Sequence, residues 1–390
     1  MLNTEALHKA QEYLSLSTLD GWLIYEYQEI NPVFYHFLGA ISMITRPCFL
    51  WIPRIGNPTL VAHHVDGGRY SSFDTRLLTY TGRDSLKETL LNLLKNSRNI
   101  AMEYSPMATI PRMSLVDGGT LEMIREYGLE IFSSANLLQY STQRWTPNQL
   151  ASHLRTANTL TSIVNDAFKY IGNNIGKQMT ETDISDFITT SLHEYRFEVP
   201  DGPVVAVDHH SSDPHYLPQQ SSASTITHGS WLLIDLWAKE RTPEAVFADL
   251  TWVGYVGREV PAKYKAAFEV VTGARDKAID FLSKRFTDGN LPMGWEVDNI
   301  ARNYISDRGY GEYFTHRLGH SLGIKVHGDA VNLDSWETYD NRVIMPGLGV
   351  TVEPGIYMHD FGVRSEINLY ISETGPYVTS KVQDQIVLIE

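Results

Sequence analysis

Apolar residues run along the chain in a pattern whose period changes near residue 145. ALHKAQEYLSL repeats them at helical spacing, and GWLIYEY then reads as a strand. CFLWIPRIGNPTLVAH reads strand, turn, strand, with Gly56-Asn57-Pro58 as the turn. LKETLLNLLKN returns to leucines at helical spacing, and NIAMEY follows as a short strand. This alternation predicts a self-sufficient α/β domain over residues 1–143. The character shifts at Thr142–Pro147. Thr146 and Gln149 make a Thr-x-x-Gln capping box, and TPNQLASHLRTANTLTSIVNDAFKYIGNNIG continues as a long amphipathic helix. TETDISDFITTSLHEY predicts a second helix with a similar acidic cap. From Pro200 the runs are strand-like: GPVVAVD, SWLLIDLWA, AVFADLTWVGYVG, GVTVEPGIY, GVRSEINLYI and QDQIVLIE. Two helices interrupt them, near Ala262–Arg285 and Val297–Arg308. Residues 146–390 are therefore expected to form an α+β domain, with helices packed on a mixed, curved sheet.

Composition narrows the function. A chain of 390 residues with 43% hydrophobic and 20% charged residues is an ordinary globular sequence, long enough for two or three domains. Its net charge of −14 argues against nucleic acid as a general partner, which needs basic patches. The one cysteine, Cys48, lies in the apolar run ITRPCFLWI and reads as a buried small hydrophobe. No intrachain disulfide can form. MLNTEALHKAQEYL lacks the basic-then-apolar order of a signal peptide, and no apolar stretch reaches membrane-spanning length. The expectation is a cytoplasmic enzyme with no membrane partner.

Two features carry chemistry. The first is HRLGHSLGIKVHGD, with His316, His320 and His327 among Gly319, Gly323 and Gly328. The histidine spacing suits one helix face, but glycine inside a helix costs about 1 kcal/mol against alanine. The glycines read better as places where backbone passes close to something. The second is a set of acids inside strand-like apolar runs: Asp235, Asp249, Glu353 and Glu366. Any one alone could face solvent. Asp235 fits that poorly, since both of its flanks are apolar. If the four converge, each pair of ionised carboxylates 4 Å apart repels by about 4 kcal/mol at an effective dielectric of 20. Arg364 is the one obvious cation nearby. Two divalent ions would balance four carboxylates, and a histidine would complete an oxygen-rich dinuclear set. Such a pair acidifies a water and clamps the attacking and developing oxygens. This reading points to a two-metal hydrolase.

The ordered set Asp235, Asp249, His320, Glu353, Glu366 resembles metallopeptidase family M24. GHSLGIKVH is similar to its GHxxGxxxH segment, VEPGIY to EPGxY, GVRSE to GVRxE, and DPHYLP to its PHY segment. The resemblance runs from the helix opened by Thr146 to the end of the chain. The preceding domain resembles the creatinase-type N-terminal domain of the Xaa-Pro aminopeptidase and Xaa-Pro dipeptidase (prolidase) branch. The fold implied is a pita-bread catalytic domain, a curved mixed β-sheet covered by helices, behind a smaller α/β domain. The resemblance also implies an exopeptidase cleaving the bond between an N-terminal residue and proline. It implies two divalent metals, Mn first with Co, Zn or Fe possible, a small peptide substrate with proline second, and a homodimer or higher homo-oligomer. Asp235 would chelate one metal, Asp249 and Glu366 would bridge both, and His320 and Glu353 would complete the other. His215 and His327 would contact the substrate, Glu353 would move the proton, and Arg364 would orient the carboxylates. His316 would be a supporting neighbour, and the glycines would let backbone approach the metals.

Several positions depart from the family habit and put the substrate in question. Trp237 replaces a usual glycine, KERTPE lengthens the stretch between Asp235 and Asp249, and Trp252 and Gly328 replace charged residues. Val331 stands where one type of prolidase has the arginine that grips a dipeptide carboxylate; Arg342 or Arg317 could substitute. The alternatives are a metal-using lyase of the dimethylsulfoniopropionate type, a creatinase-like C–N hydrolase, and a non-catalytic binding module. His63 and His64 read as structural or surface residues, His209 and His210 as rim residues, and His359 as surface.

Overall fold

The computed structural model describes residues 2–41 and 43–390. Two compact units divide the chain, Met1–Gln143 and Arg144–Glu390. The first is built on a six-stranded sheet of order β4-β3-β2-β1-β5-β6. Its strands are β1 (Gly21–Glu26), β2 (Cys48–Pro53), β3 (Thr59–His63), β4 (Arg76–Tyr80), β5 (Asn99–Met102) and β6 (Glu130–Ser133). Gly56, at φ 106°, turns the chain between β2 and β3. The central strand β1 is buried along its whole length, so its side chains feed two cores alternately. Trp22 and Ile24 pack with Ala6, Ala10 and Leu14 of α1 (Thr4–Leu16) and with Phe34 and Phe37 of α2 (Pro32–Leu38). Leu23 and Tyr25 pack with Leu86, Leu90 and Leu94 of α3 (Arg83–Leu94) and with Leu121 and Ile124 of α4 (Gly118–Arg125). A short α5 (Ala135–Leu138) closes the unit. Cys48 is buried, and burial pushes its thiol up to about 12.

The second unit opens with α6 (Pro147–Asn174), whose capping box joins Thr146 and Gln149 as expected. It continues with α7 (Glu181–Glu194), β7 (Phe197–Glu198) and β8 (Val204–Val207). Next comes the long antiparallel pair β9 (Trp231–Glu240) and β10 (Ala248–Val256). After α8 (Ala262–Thr287) and α9 (Gly294–Ser306) come β11 (Ser321–Leu322), β12 (Gly349–Val352), β13 (Gly355–Tyr357), β14 (Gly362–Arg364), β15 (Ile367–Ser372), β16 (Gly375–Val378) and β17 (Val387–Ile389). One sheet runs β17-β10-β9, with β7 and β8 both on the far edge of β9; β17 is parallel to β10, so the sheet is mixed. A second sheet runs β11-β12-β15-β16, and β13 pairs with β14. Leu232, Ile234, Leu236 and Ala238 of β9 pack on the apolar faces of α6 and α7. The period of two then turns Asp235 and Trp237 to the opposite face. Among the described residues, no helix is long and apolar enough to cross a membrane.

Two strand expectations change. GVTVEPGIY is not one strand: it breaks at Glu353–Pro354 into β12 and β13. GVRSEINLYI likewise breaks at Ser365–Glu366 into β14 and β15. Proline has no N–H to give a ladder. At the breaks the backbone bonds elsewhere, Glu353 N–H to Leu318 O at 2.8 Å and Glu366 N–H to Thr251 O at 3.3 Å.

Candidate metal centre

Register explains how the acids meet. In the β9–β10 pair, Asp235 stands opposite Thr251 and Trp237 opposite Asp249, so all four share one face. In the other ladder, Val352 pairs with Ile367 and Gly355 with Arg364. The same register continued across the break sets Glu353 opposite Glu366. Each ladder thus delivers two carboxylates to one cavity of about 470 Å³. That cavity is lined by Asp235, Asp249, His320, Glu353 and Glu366, and also by His215, His327, His316 and Arg364. All eight residues singled out for metal binding or catalysis therefore border the same space.

The local geometry is that of acceptors facing acceptors. His320 Nδ1 lies 3.1 Å from the Ser321 carbonyl oxygen, which can only accept, so the proton sits on Nδ1. Nε2 then turns its lone pair toward Glu353 Oε1 at 3.4 Å and Asp249 Oδ2 at 3.7 Å. Ligand atoms of Asp249, His320 and Glu366 all lie within 4.8 Å of one another. Asp235 Oδ1, Asp249 Oδ1 and Glu366 Oε1 are buried with no hydrogen-bond donor among the described residues. Burial, then repulsion from Glu366, Asp235 and Glu353, holds the Asp249 carboxyl well above the usual carboxylate range against the pull of Arg364. Glu366 is raised likewise, by burial and then by Glu353 and Asp235. Burial pushes Glu353 up to about 7. Burial, then proximity to His327, holds His320 well below the usual histidine range. A divalent cation among these atoms would offset the repulsion among the carboxylates and favour the neutral His320 ring, and hard oxygen donors with one imidazole suit such an ion. The donor set fits the metal expected of it.

An outer layer holds the acids. Arg364 donates to Asp235 Oδ2 at 2.5 Å, Thr251 Oγ1 at 2.9 Å and Tyr357 Oη at 2.9 Å. Thr251 Oγ1 in turn donates a hydrogen bond to Glu366 Oε2 at 2.8 Å. Tyr357 receives from Arg364, so its hydroxyl proton goes to His316 Nε2 at 2.8 Å, while His316 Nδ1–H bonds the Arg317 carbonyl at 2.7 Å. Burial, then Arg364, lowers the His316 pKa to about 3, which keeps the ring neutral. Thr351 Oγ1 serves Glu353 at 3.1 Å, and Asn368 brackets the Asp249 backbone. Thr251, Tyr357 and Asn368 were not picked out from sequence. Thr251 and Asn368 lie two residues beyond Asp249 and Glu366, and parity alone puts them on the ligand faces. Tyr357 lies inside VEPGIY.

Other expectations need revision. Two glycines of the histidine segment, Gly319 and Gly328, are closely approached by other parts of the chain. A Cβ at Gly319 would collide with the Thr351 carbonyl, and one at Gly328 would press on Ser321, so both allow close packing of backbone on backbone. Of the departures from family habit, only Trp237 reaches the cavity. Trp252 faces the α6 core, Val331 is buried against Gly294, and the KERTPE insertion lengthens the β9–β10 hairpin away from the site. Arg342 is fully buried on Asp340, but Arg317 lines the cavity. His210 is no rim residue: its Nδ1 lies 2.8 Å from the fully buried Glu181.

The sequence profile of metallopeptidase family M24 matches residues 153–373. The chain belongs to this family. It is 32% identical over 188 residues to the Xaa-Pro dipeptidase of Pyrococcus horikoshii, a span of 47% of this chain and 48% of that protein. The M24 chain thus spans about half the length of the relatives it matches. The structure of dipeptidase PepE from Mycobacterium ulcerans aligns with a TM-score of 0.68 at 16% identity, covering 99% of this chain and 97% of that one. Prolidase from Thermococcus sibiricus aligns at 0.60 and 20% identity, over 100% and 99%. These likenesses show the M24 fold, an α+β pita-bread unit preceded in sequence by a smaller α/β unit.

Proposed function

We propose that this M24 chain is a metal-dependent exopeptidase that hydrolyses the bond between an N-terminal residue and proline. One observation carries the reading: the His320 Nε2 lone pair faces Glu353 and Asp249 while three buried carboxylate oxygens have no donor among the described residues. The name of the Pyrococcus relative supports the proline specificity. On this reading Asp235, Asp249, His320, Glu353 and Glu366 hold two divalent ions, with Mn²⁺ the first to try. Bound there, the ions would acidify a water and polarise the scissile carbonyl. The chain's own groups do the rest. Glu353 takes the proton of the attacking water and returns it to the proline nitrogen, help typically worth roughly 10²–10⁴ in rate. That nitrogen belongs to a tertiary amide, so it needs the proton in order to leave. His215 and His327 border the cavity and would hydrogen-bond the carbonyl oxygen as its charge grows. Arg364 fixes Asp235 and, through Thr251, Glu366.

Arg317 favours a dipeptide as the better substrate. It is paired with Glu337 at 3.0 Å at the cavity wall, and its buried Nε has no acceptor among the described residues. A free proline carboxylate could take that place. Residues 1–143 would be the creatinase-type domain, and the working unit a homodimer.

The test is a product assay. Mn²⁺-loaded protein is incubated with Ala-Pro, Ala-Pro-Ala and Ala-Ala-Ala, with Glu366→Ala as the blank, and products are read by mass spectrometry. Alanine should be released from the two proline peptides only. No cleavage of either proline peptide by metal-loaded protein sinks the reading.

A further inference from the structure

Outside the metal centre, one buried carboxylate gathers donors from four separate places. Glu181 opens α7 and is fully buried. Its Oε1 accepts from Val207 N–H at 2.7 Å and from His210 Nδ1 at 2.8 Å. Its Oε2 accepts from the Tyr216 hydroxyl at 2.7 Å and Ser224 N–H at 2.7 Å. These donors come from the end of β8, the turn at 208–212, the residue after His215, and the segment leading to β9. His210 and Tyr216 also stack, with ring centroids 4.3 Å apart at 20°.

The segment between β8 and β9 is held by such bonds rather than by a ladder. Asp208 turns it with φ at 50° and accepts from Trp231 N–H at 2.8 Å. Ser211 Oγ accepts from Gly362 N–H at 2.8 Å. This segment carries Pro214, His215 and Leu217 to the cavity wall. Glu181 bonds the backbone on both sides of His215 and the side chain beside it. A misplacement of about 1 Å in a catalytic group can cost on the order of 10²-fold in rate. We propose that Glu181, acting with His210 and Tyr216, is a positioning residue that sets His215 against the substrate.

The proposal rests on the exopeptidase reading, so its test has two arms. In the first, Tyr216→Phe removes one hydroxyl beside His215. It should lower kcat/KM on Ala-Pro about 10-fold, chiefly through kcat, with KM within about 2-fold. In a His215→Ala background the same change should cost less than about 2-fold, because the effect runs through His215. An equal loss in both backgrounds, or no loss in either, overturns the proposal. The second arm needs no turnover. Hydrogen exchange over residues 207–224 should quicken about 10-fold in Glu181→Gln and measurably in Tyr216→Phe, with β9 and β10 unchanged. Unchanged exchange in both variants overturns the clamp whatever the kinetics. If the wild type cleaves no proline peptide, the functional reading falls instead, and the exchange arm alone decides the clamp.

Discussion

Replacing Thr251 by valine removes one hydroxyl and nearly conserves volume, so it isolates the bridge between Arg364 and Glu366. Thr251 is fully buried. Without its hydroxyl, Arg364 Nε loses a 2.9 Å acceptor and Glu366 Oε2 loses a 2.8 Å donor. Glu366 Oε1 already has no donor among the described residues, so the carboxyl would keep no side-chain hydrogen bond from them. Arg364 retains Asp235 and Tyr357. A hydrogen bond to a charged group contributes about 1.5–3 kcal/mol, so the two together come to about 3 kcal/mol at the lower bound. For a unit the size of residues 144–390, 1 kcal/mol moves Tm by about 2–4 °C, which gives a drop of about 6–12 °C. The assay is calorimetry of chelator-treated protein, followed by Mn²⁺ titration. Metal affinity should fall about 10–100-fold, the usual scale for losing an outer partner. Thr251→Ser, which keeps the hydroxyl, should restore most of both. A Tm change under about 2 °C with unchanged Mn²⁺ affinity would refute the claim that Thr251 holds Glu366 in place.

Further consequences can be read from three other side chains, His153, Glu103 and Arg317. His153 donates from Nδ1 to the Phe247 carbonyl at 2.8 Å and has Thr379 Oγ1 2.7 Å from Nε2; burial lowers its pKa to about 4. The neutral ring is the folded form, so its contribution is whole above pH 6.5 and is lost as pH falls through 4, roughly 3 kcal/mol in all. Urea midpoints at pH 7 and pH 4 should converge for His153→Gln, and parallel profiles with wild type would contradict this. Glu103 has the opposite sign. Burial raises it to about 7 despite donors from Trp22, Asn31 and Ser134, so its contribution is whole below pH 4.5 and fades as pH rises through 7. Unfolding of residues 2–143 followed from pH 4 to pH 8 should lose about 3 kcal/mol in wild type and much less in Glu103→Gln. Arg317→Ala should raise KM for Ala-Pro about 10-fold or more while changing the tripeptide far less, since it deletes a charge-assisted contact of roughly 1.5–3 kcal/mol. Equal effects on both peptides would remove Arg317 from carboxylate recognition.

Much of the molecule is legible one segment at a time. The capping box at Thr146, the leucine stripe of α3 and the apolar runs of β1 and β9 are local, and their period and end chemistry sufficed to place them. The misplacement of an acid is also local: Asp235 stands out because its neighbours are Ile234 and Leu236. Of the two breaks, the one at Glu353–Pro354 had a local sign in the proline, which lacks an N–H; the one at Ser365–Glu366 had none, and there the Glu366 N–H goes to Thr251 instead of continuing a ladder. The close packing at Gly319 and Gly328 was not legible either. Thr351 of β12 approaches Gly319, while Ser321 and Leu322 of the segment itself approach Gly328, and spacing holds no trace of either fold-back.

The amino-acid order alone settled which residue types the chain could bring to a metal and which elements would carry them, because parity and capping act within a few residues. Register across two ladders decided that Asp235, Asp249, Glu353 and Glu366 share one space, with His320 Nε2 turned toward them. Register also separated Trp237, which reaches the cavity, from Trp252, which faces a helix. Each ladder pairs nearby segments, but the meeting of the two depends on contacts more than a hundred residues apart, Thr251 to Glu366 and Arg364 to Asp235. They follow from burial and backbone hydrogen bonding over the whole unit, which no local pattern encodes.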